Sequence, residues 1–211
     1  MVQIRWFGHS MWKITGEDIK IITDPFADIG YNMPTNERAD IILSSHDHYD
    51  HNNFDLISGS PKIIKTSGHF NVKGIDIDMY PTFHDESEGS ERGNNLLMKF
   101  TINGKNMLHC GDLGHMLSDD QIKQIGKIDL LFIPVGGHFT IDAATAKKLM
   151  EKLNPKIIFP MHYKTSVLNY PIKPVEDFLR LINNHCHNNS NSVELEDNDF
   201  SKEKVITLNY E

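Results

Sequence analysis

Short apolar runs recur at residues 3–7, 19–23, 40–43, 62–65, 75–80, 96–101, 105–109, 130–134, 156–159 and 204–209, separated by polar stretches. They are rich in Ile, Val, Phe and Leu, and runs of that length and composition predict strands. Helical stretches are predicted at 53–58, 118–125, 142–153 and 175–184; in the third, apolar residues such as Ile141, Ala144, Leu149 and Leu153 return at helical intervals. Asn103-Gly104 between two such runs predicts a tight hairpin, because both residues tolerate the positive φ of a primed turn. Each half of the chain opens on strands and closes on helices. That layout predicts an α+β fold, an αββα four-layer sandwich with two mixed β-sheets face to face and helices outside.

Two segments interrupt the pattern. Residues 183–199, rich in Asn and Ser, read as plain surface. Residues 85–95 carry Glu86, Glu88 and Glu91 with Gly89 and Gly93, and read equally as a solvated acidic loop or as a flap over a site.

Composition narrows the field. The 211 residues predict one domain over residues 1–211, set against roughly 150 residues per domain. No stretch approaches the ~20 apolar residues of a membrane span, and Arg5 and His9 interrupt the N-terminal apolar run, unlike a secretory leader. Cys110 and Cys186 lack metal-knuckle spacing, so a reducing cytoplasm is expected. Phosphate-loop, dinucleotide and nucleophile-elbow motifs are missing. The formal charge of −8 opposes capture of nucleic acid or anionic membrane. Histidine stands out: 12 residues, against 2 Trp and 6 Tyr.

The sharpest feature is His46-Asp47-His48-Tyr49-Asp50-His51, directly after the apolar run Ile41-Ile42-Leu43. Alternate residues of an extended chain point the same way, so His46, His48 and Asp50 can converge while His51 turns toward a neighbouring position. Imidazoles and a carboxylate are the donors that borderline divalent metals such as zinc prefer, and this spacing suits two metals rather than one.

Ser45-His46-x-His48-x-Asp50-His51 resembles the signature of the metallo-β-lactamase fold superfamily of metallohydrolases. Gly8-His9-Ser10, Thr23-Asp24-Pro25-Phe26, Gly111-Asp112-x-Gly114, Phe139-Thr140-x-Asp142 and Pro160-Met161-His162-Tyr163 resemble its small stand-alone branch, which holds ascorbate-6-phosphate lactonase. The resemblance implies that one metal takes His46, His48 and His84, the other Asp50, His51 and His162, and that Asp112 bridges. His109 competes with His84, but the family pattern puts the third histidine well upstream of the aspartate.

The implied cofactors are two divalent metal ions, Zn2+ first, with Mn2+ or Fe2+ as alternatives. Bound metal lowers the pKa of water from 15.7 to about 7, so the implied activity is hydrolysis of an ester, lactone or phosphoester bond in a small-molecule substrate. Asp50 would orient the hydroxide and His138 would donate to the substrate or leaving group. Two metals would offset part of the −8 where a substrate arrives, which makes a small anion compatible. A metal-dependent nuclease and an iron-dependent oxidoreductase stand as alternatives. The acidic balance opposes the nuclease, and the chain has no room for a flavodoxin-like partner domain.

Other polar residues carry double readings. Asp24 is placed to brace a ligand or simply to start a turn before Pro25. His9 and His138 are pocket candidates or ordinary histidines, whereas Thr140 and Asp142 precede a predicted helix that at least one of them would cap. His69, His115, His185 and His187 read as ordinary histidines.

Overall fold

The computed structural model describes residues 1–210. One sheet holds β1 (Val2–Gly8), β2 (Met11–Thr15), β3 (Lys20–Thr23), β4 (Ile41–Leu43), β5 (Lys62–Ile64) and β13 (Ser192–Leu195), in the order β13-β1-β2-β3-β4-β5. The other holds β6 (Gly68–Val72), β7 (Ile75–Phe83), β8 (Asn94–Ile102), β9 (Lys105–His109), β10 (Leu130–Pro134), β11 (Ile157–Met161), β12 (His185–Asn188) and β14 (Lys204–Leu208), in the order β12-β14-β11-β10-β9-β8-β7-β6. Both are mixed, as expected: β3, β4 and β5 run parallel, as do β9, β10 and β11, while the hairpins are antiparallel. Asn103 (φ 49°) and Gly104 (φ 73°) form the β8–β9 turn, pairing Ile102 with Lys105.

The main core lies between the sheets. Ile14, Ile21, Ile41 and Leu43 face Phe100, Phe132 and Phe159, and the Trp12 ring sits 4.9 Å from Phe132 and 5.2 Å from Phe159. Each fully buried Phe or Ile contributes roughly 1.5–3 kcal/mol. Helix α2 (Ala143–Leu153), capped by Asp142 through the Thr145 N–H, adds Ala146, Leu149, Met150 and Leu153 to this core. Helices α1 (Asp119–Ile125) and α3 (Glu176–Leu179) add Ile125 and Phe178.

On β3 and β4 the alternate residues Ile22 and Ile42 point the other way, toward Phe26, Ile29, Tyr31, Leu168 and Ile172. Buried on both faces, these strands read as continuous apolar runs. Loops cover that face. The helix predicted at 53–58 is a 3-10 turn at Phe54–Leu56 that ends on extended Ile57, and the one predicted at 175–184 shortens to α3. The segment read as plain surface, 183–199, supplies edge strands β12 and β13.

Residues 85–93 form an ordered loop, and Asn94 and Asn95 already open β8. The Asp85 carboxylate accepts the backbone N–H groups of Ser87, Gly89, Glu91 and Arg92 at 2.8–3.1 Å. Desolvation raises the Asp85 pKa, but these amides outweigh it and hold the group at about 2, against an ordinary 3.8. Replacing Asp85 with Ala should accelerate hydrogen exchange at these four amides at neutral pH and leave the β10 and β11 amides protected. Because the folded-state pKa is depressed, the wild-type loop should keep this protection above pH 3.8 and lose it as pH falls through about 2, which an NMR exchange series checks.

Candidate metal centre

Strand direction gathers the chemistry at one end of the sandwich. In the first sheet β1, β3 and β4 point the same way and end on His9, Asp24 and the 44–51 loop. In the second, β7, β9, β10 and β11 share a direction and deliver His84, Asp112, His138 and His162. Carboxyl ends of parallel strands are where such folds place ligands, since the loops there are free to carry chemistry.

Two donor groups result. His46, His48 and His84 form one, and His9, His51, Asp112 and His162 the other, with the donor atoms of each within 4.8 Å of one another. The groups meet at Asp112. Its Oδ2 lies 3.2 Å from His51 Nε2, 3.2 Å from His84 Nε2 and 3.1 Å from His162 Nε2. Asp50 stands beside the second group, with Oδ2 3.4 Å from His9 Nε2 and accepting the Tyr170 hydroxyl at 3.2 Å. A cavity of about 380 Å³ opens over the groups, lined by His48, Asp50, His84, Arg92, Asp112 and Tyr170 among others.

The surrounding structure fixes these side chains. Asp24, fully buried, accepts Ser45 N–H at 2.7 Å and Ser45 O–H at 2.9 Å, and its Oδ2 lies 3.1 Å from His51 Nδ1. The two ring nitrogens of His51 thus face Asp24 and Asp112, the carboxylate–histidine pairing that sets tautomer and orientation at metal sites. Asn95 holds the Asp112 amide at 2.9 Å and donates to Thr82 Oγ1 and Cys110 O. Gly111 (φ 54°) is required here, since a Cβ would meet Asn95 Oδ1 at 2.3 Å.

Backbone strain marks the same place. His9, Asp24, His138 and His162 have φ between 43° and 63°, a left-handed conformation that costs non-glycine residues about 1 kcal/mol or more each.

Burial and mutual repulsion shape the protonation of the metal-free site. Burial and the His51 charge push His46 down to about 3. Burial and the His162 charge push His9 down to about 4. Burial opposes ionisation of Asp112 and Asp24, but the neighbouring imidazoles prevail and hold both carboxyls below their ordinary range. Burial likewise opposes charge on His51, but Asp112 and Asp24 prevail and raise it. Among the described residues, the buried imidazole nitrogens without a hydrogen-bond partner are both of His9, both of His51, and Nδ1 of His84 and His162. Buried polar atoms normally find partners, and imidazole nitrogens ringed around a carboxylate are a donor set that suits a divalent cation.

The remaining candidates separate clearly. His109 is buried, but its Nδ1 accepts the Gly111 N–H at 3.0 Å and its Nε2 contacts Ser10 O at 2.9 Å, so both nitrogens are engaged and it joins neither group. His138 is exposed against the Phe139 ring and borders an adjoining cavity of about 350 Å³. Asp142 caps α2 and Thr140 Oγ1 donates to Ile141 O. His69 pairs with Asp78, His115 contacts Met116 O and His187 contacts Thr207, all outside the donor groups. Sequence reasoning missed Arg92, Tyr170 and Asn95, and underrated His9; none of the four carries a spacing signal.

Residues 3–162 match the family described as the beta-lactamase superfamily domain. The chain is 30% identical over 194 residues to a UPF0173 metal-dependent hydrolase of Thermococcus onnurineus, a match spanning 78% of this chain and 86% of the relative. It resembles the solved structure of a candidate Zn-dependent hydrolase of the metallo-β-lactamase superfamily from Thermotoga maritima, with a TM-score of 0.87 at 36% identity over 100% of both chains. YhfI of Bacillus subtilis, a metallo-β-lactamase fold protein, shares the fold with a TM-score of 0.62 at 12% identity over 100% of this chain and 97% of its own.

Asp24→Asn removes the charge facing His51 with a residue that tolerates a positive φ. Metal affinity should fall about 10–100-fold, read by competition with a chromophoric chelator, while the circular dichroism spectrum stays unchanged.

Proposed function

The chain belongs to the metallo-β-lactamase superfamily and is a metal-dependent hydrolase; from that premise we propose that it holds two divalent cations, zinc foremost, and cleaves an ester, lactone or phosphoester bond in a small anionic substrate. In this reading His46, His48 and His84 would hold one cation and Asp50, His51 and His162 the other, with Asp112 available to both. The observation that carries it is the position of Asp112 Oδ2, within 3.1–3.2 Å of His51, His84 and His162, so that one carboxylate oxygen touches both donor groups. Cations bound there lower the pKa of water from 15.7 to about 7 and polarise the oxygen of the scissile group, so hydroxide is available without a protein nucleophile.

The chain's own residues supply the rest. Asp50, held by the Tyr170 hydroxyl at 3.2 Å, orients the attacking water. His138 borders the adjoining cavity and donates a proton on the leaving-group side. A cavity of about 380 Å³ takes a small molecule, in keeping with the modest size of most ligand pockets. Arg92, half-buried, borders this cavity and two neighbours, and its guanidinium carbon lies 5.8 Å from the Phe139 ring centre. It is the anchor for a carboxylate or phosphate on the substrate. Lactone hydrolysis belongs among these reactions, and Arg92 favours members of the class that carry a separate anionic group.

Protein purified without added metal should contain zinc or manganese, and cleavage of a lactone, carboxylester and phosphodiester panel should vanish on chelation and return with the metal. Iron accompanied by oxygen uptake instead of hydrolysis overturns the reading. Arg92→Ala should raise KM for anionic substrates roughly tenfold, the equivalent of ~1.4 kcal/mol, with kcat and the KM of neutral esters little changed in steady-state assays.

A further inference from the structure

We infer that His9 is an additional nitrogen donor at the buried cation position, beside His51, Asp112 and His162, and that it makes this position the tighter of the two; the inference rests on the two-cation reading above. In sequence His9 is a lone histidine in a strand-to-strand turn. In the fold its side chain is fully buried and neither ring nitrogen completes a hydrogen bond. An unpartnered buried polar group is destabilising, so as mere filling His9 would be inferior to an apolar ring.

Position supplies the missing partner. The donor atom of His9 lies within 4.8 Å of those of His51, Asp112 and His162, and its ring centre is 4.3 Å from that of His162 and 5.1 Å from that of His51. The carboxylate nearest its Nε2 is Asp50, at 3.4 Å and without hydrogen-bonding alignment. The four-residue group contains His9 but not Asp50, so the ring shares the space of His51, Asp112 and His162 directly, with Asp50 beside it.

The backbone is shaped to hold this ring inward. Gly8 takes φ 119°, where a Cβ would meet the Tyr31 ring at 2.4 Å, and His9 follows at φ 49°. The His9 carbonyl accepts the Trp6 indole N–H at 3.1 Å and the His162 N–H at 3.3 Å. Core packing around Trp6 therefore fixes His9 and ties it to a second strained donor. The other group lacks this enclosure, because His48 is exposed and His46 half-buried. An extra donor and the exclusion of solvent both act on the buried position alone, so the two positions should fill unequally.

Titration of the metal-free protein with Co2+ tests this through the exchangeable imidazole N–H protons that paramagnetic cobalt shifts in the proton NMR spectrum. The first equivalent should give three slowly exchanging shifted N–H signals, from His9, His51 and His162. His9→Asn, whose side chain tolerates the turn, should leave two and weaken the first binding step about tenfold or more. Signals and affinity unchanged by the substitution overturn the inference. So do two signals in the wild type, a count that needs no variant to fold. Uptake of only one equivalent, still with three signals that include His9, would overturn the two-cation reading while upholding His9 as a donor.

Discussion

A carboxylate taken out of water costs several kcal/mol unless charges or donors surround it, and this chain buries two, Asp24 and Asp112, in one cluster of imidazoles. Much of the molecule can be understood as meeting that constraint. His51 lies between the two carboxylates, Ser45 donates to Asp24 through its N–H and O–H, Asn95 fixes the Asp112 backbone by accepting its N–H, and His84 and His162 converge on the same Asp112 oxygen. No one segment could do this, because the contributors come from the ends of six strands on two sheets. The sandwich is the device that brings them together. Its stacked aromatic core, with Trp6 and Trp12 5.6 Å apart and Phe132 and Phe159 5.5 Å apart, holds β1 against β10 and β11 and offsets the cost of four left-handed residues at the site.

What the sequence made legible follows from which signals are local. The 46–51 hexapeptide concentrates its donors on one loop, so spacing alone exposes it. The buried strands β3, β4, β10 and β11 show as apolar runs because both of their faces are covered. Strands β2, β6, β12 and β13 escaped notice; the last three lie at sheet edges and mix polar with apolar residues, whereas β2 is interior, and His185–Asn188 forms a strand only because β14 pairs with it in parallel. Helices 53–58 and 175–184 were overread, since helical periodicity does not reveal where tertiary contacts stop a helix. The preference for His84 over His109 rests on the family pattern; the fold adds a physical difference, since both are buried but backbone groups occupy both nitrogens of His109.

Charge shows the same gap between composition and place. A net −8 describes the surface, whereas the cavity over Asp112 is bordered by Arg92 and the adjoining one by Lys65 as well. Lys65 is paired with Asp47 at 3.0 Å and Arg92 with Glu91 at 3.3 Å, both near the surface, where such pairs are weak. An anionic ligand can compete for these cations at little cost. A long polyanion gains nothing similar, since it would lie against the acidic exterior as well.

The arrangement also separates rigidity from access. Donors on the β1, β9 and β11 ends are buried, and the His162 N–H is tied to the His9 carbonyl, so solvent meets the site from the side of His48, Tyr49 and the 85–93 loop. That loop is not a free flap: Asp85 gathers four of its amides, which fixes the backbone that carries Arg92. A guanidinium on a fixed backbone selects by position as well as by charge, because a mobile one would accept anions at many distances from Asp112. Under the proposed function, the fold places its least adjustable groups where cations would bind and a pinned, half-buried arginine beside the entrance, and discrimination among small anions would then depend on how far the anionic group lies from the bond to be cleaved.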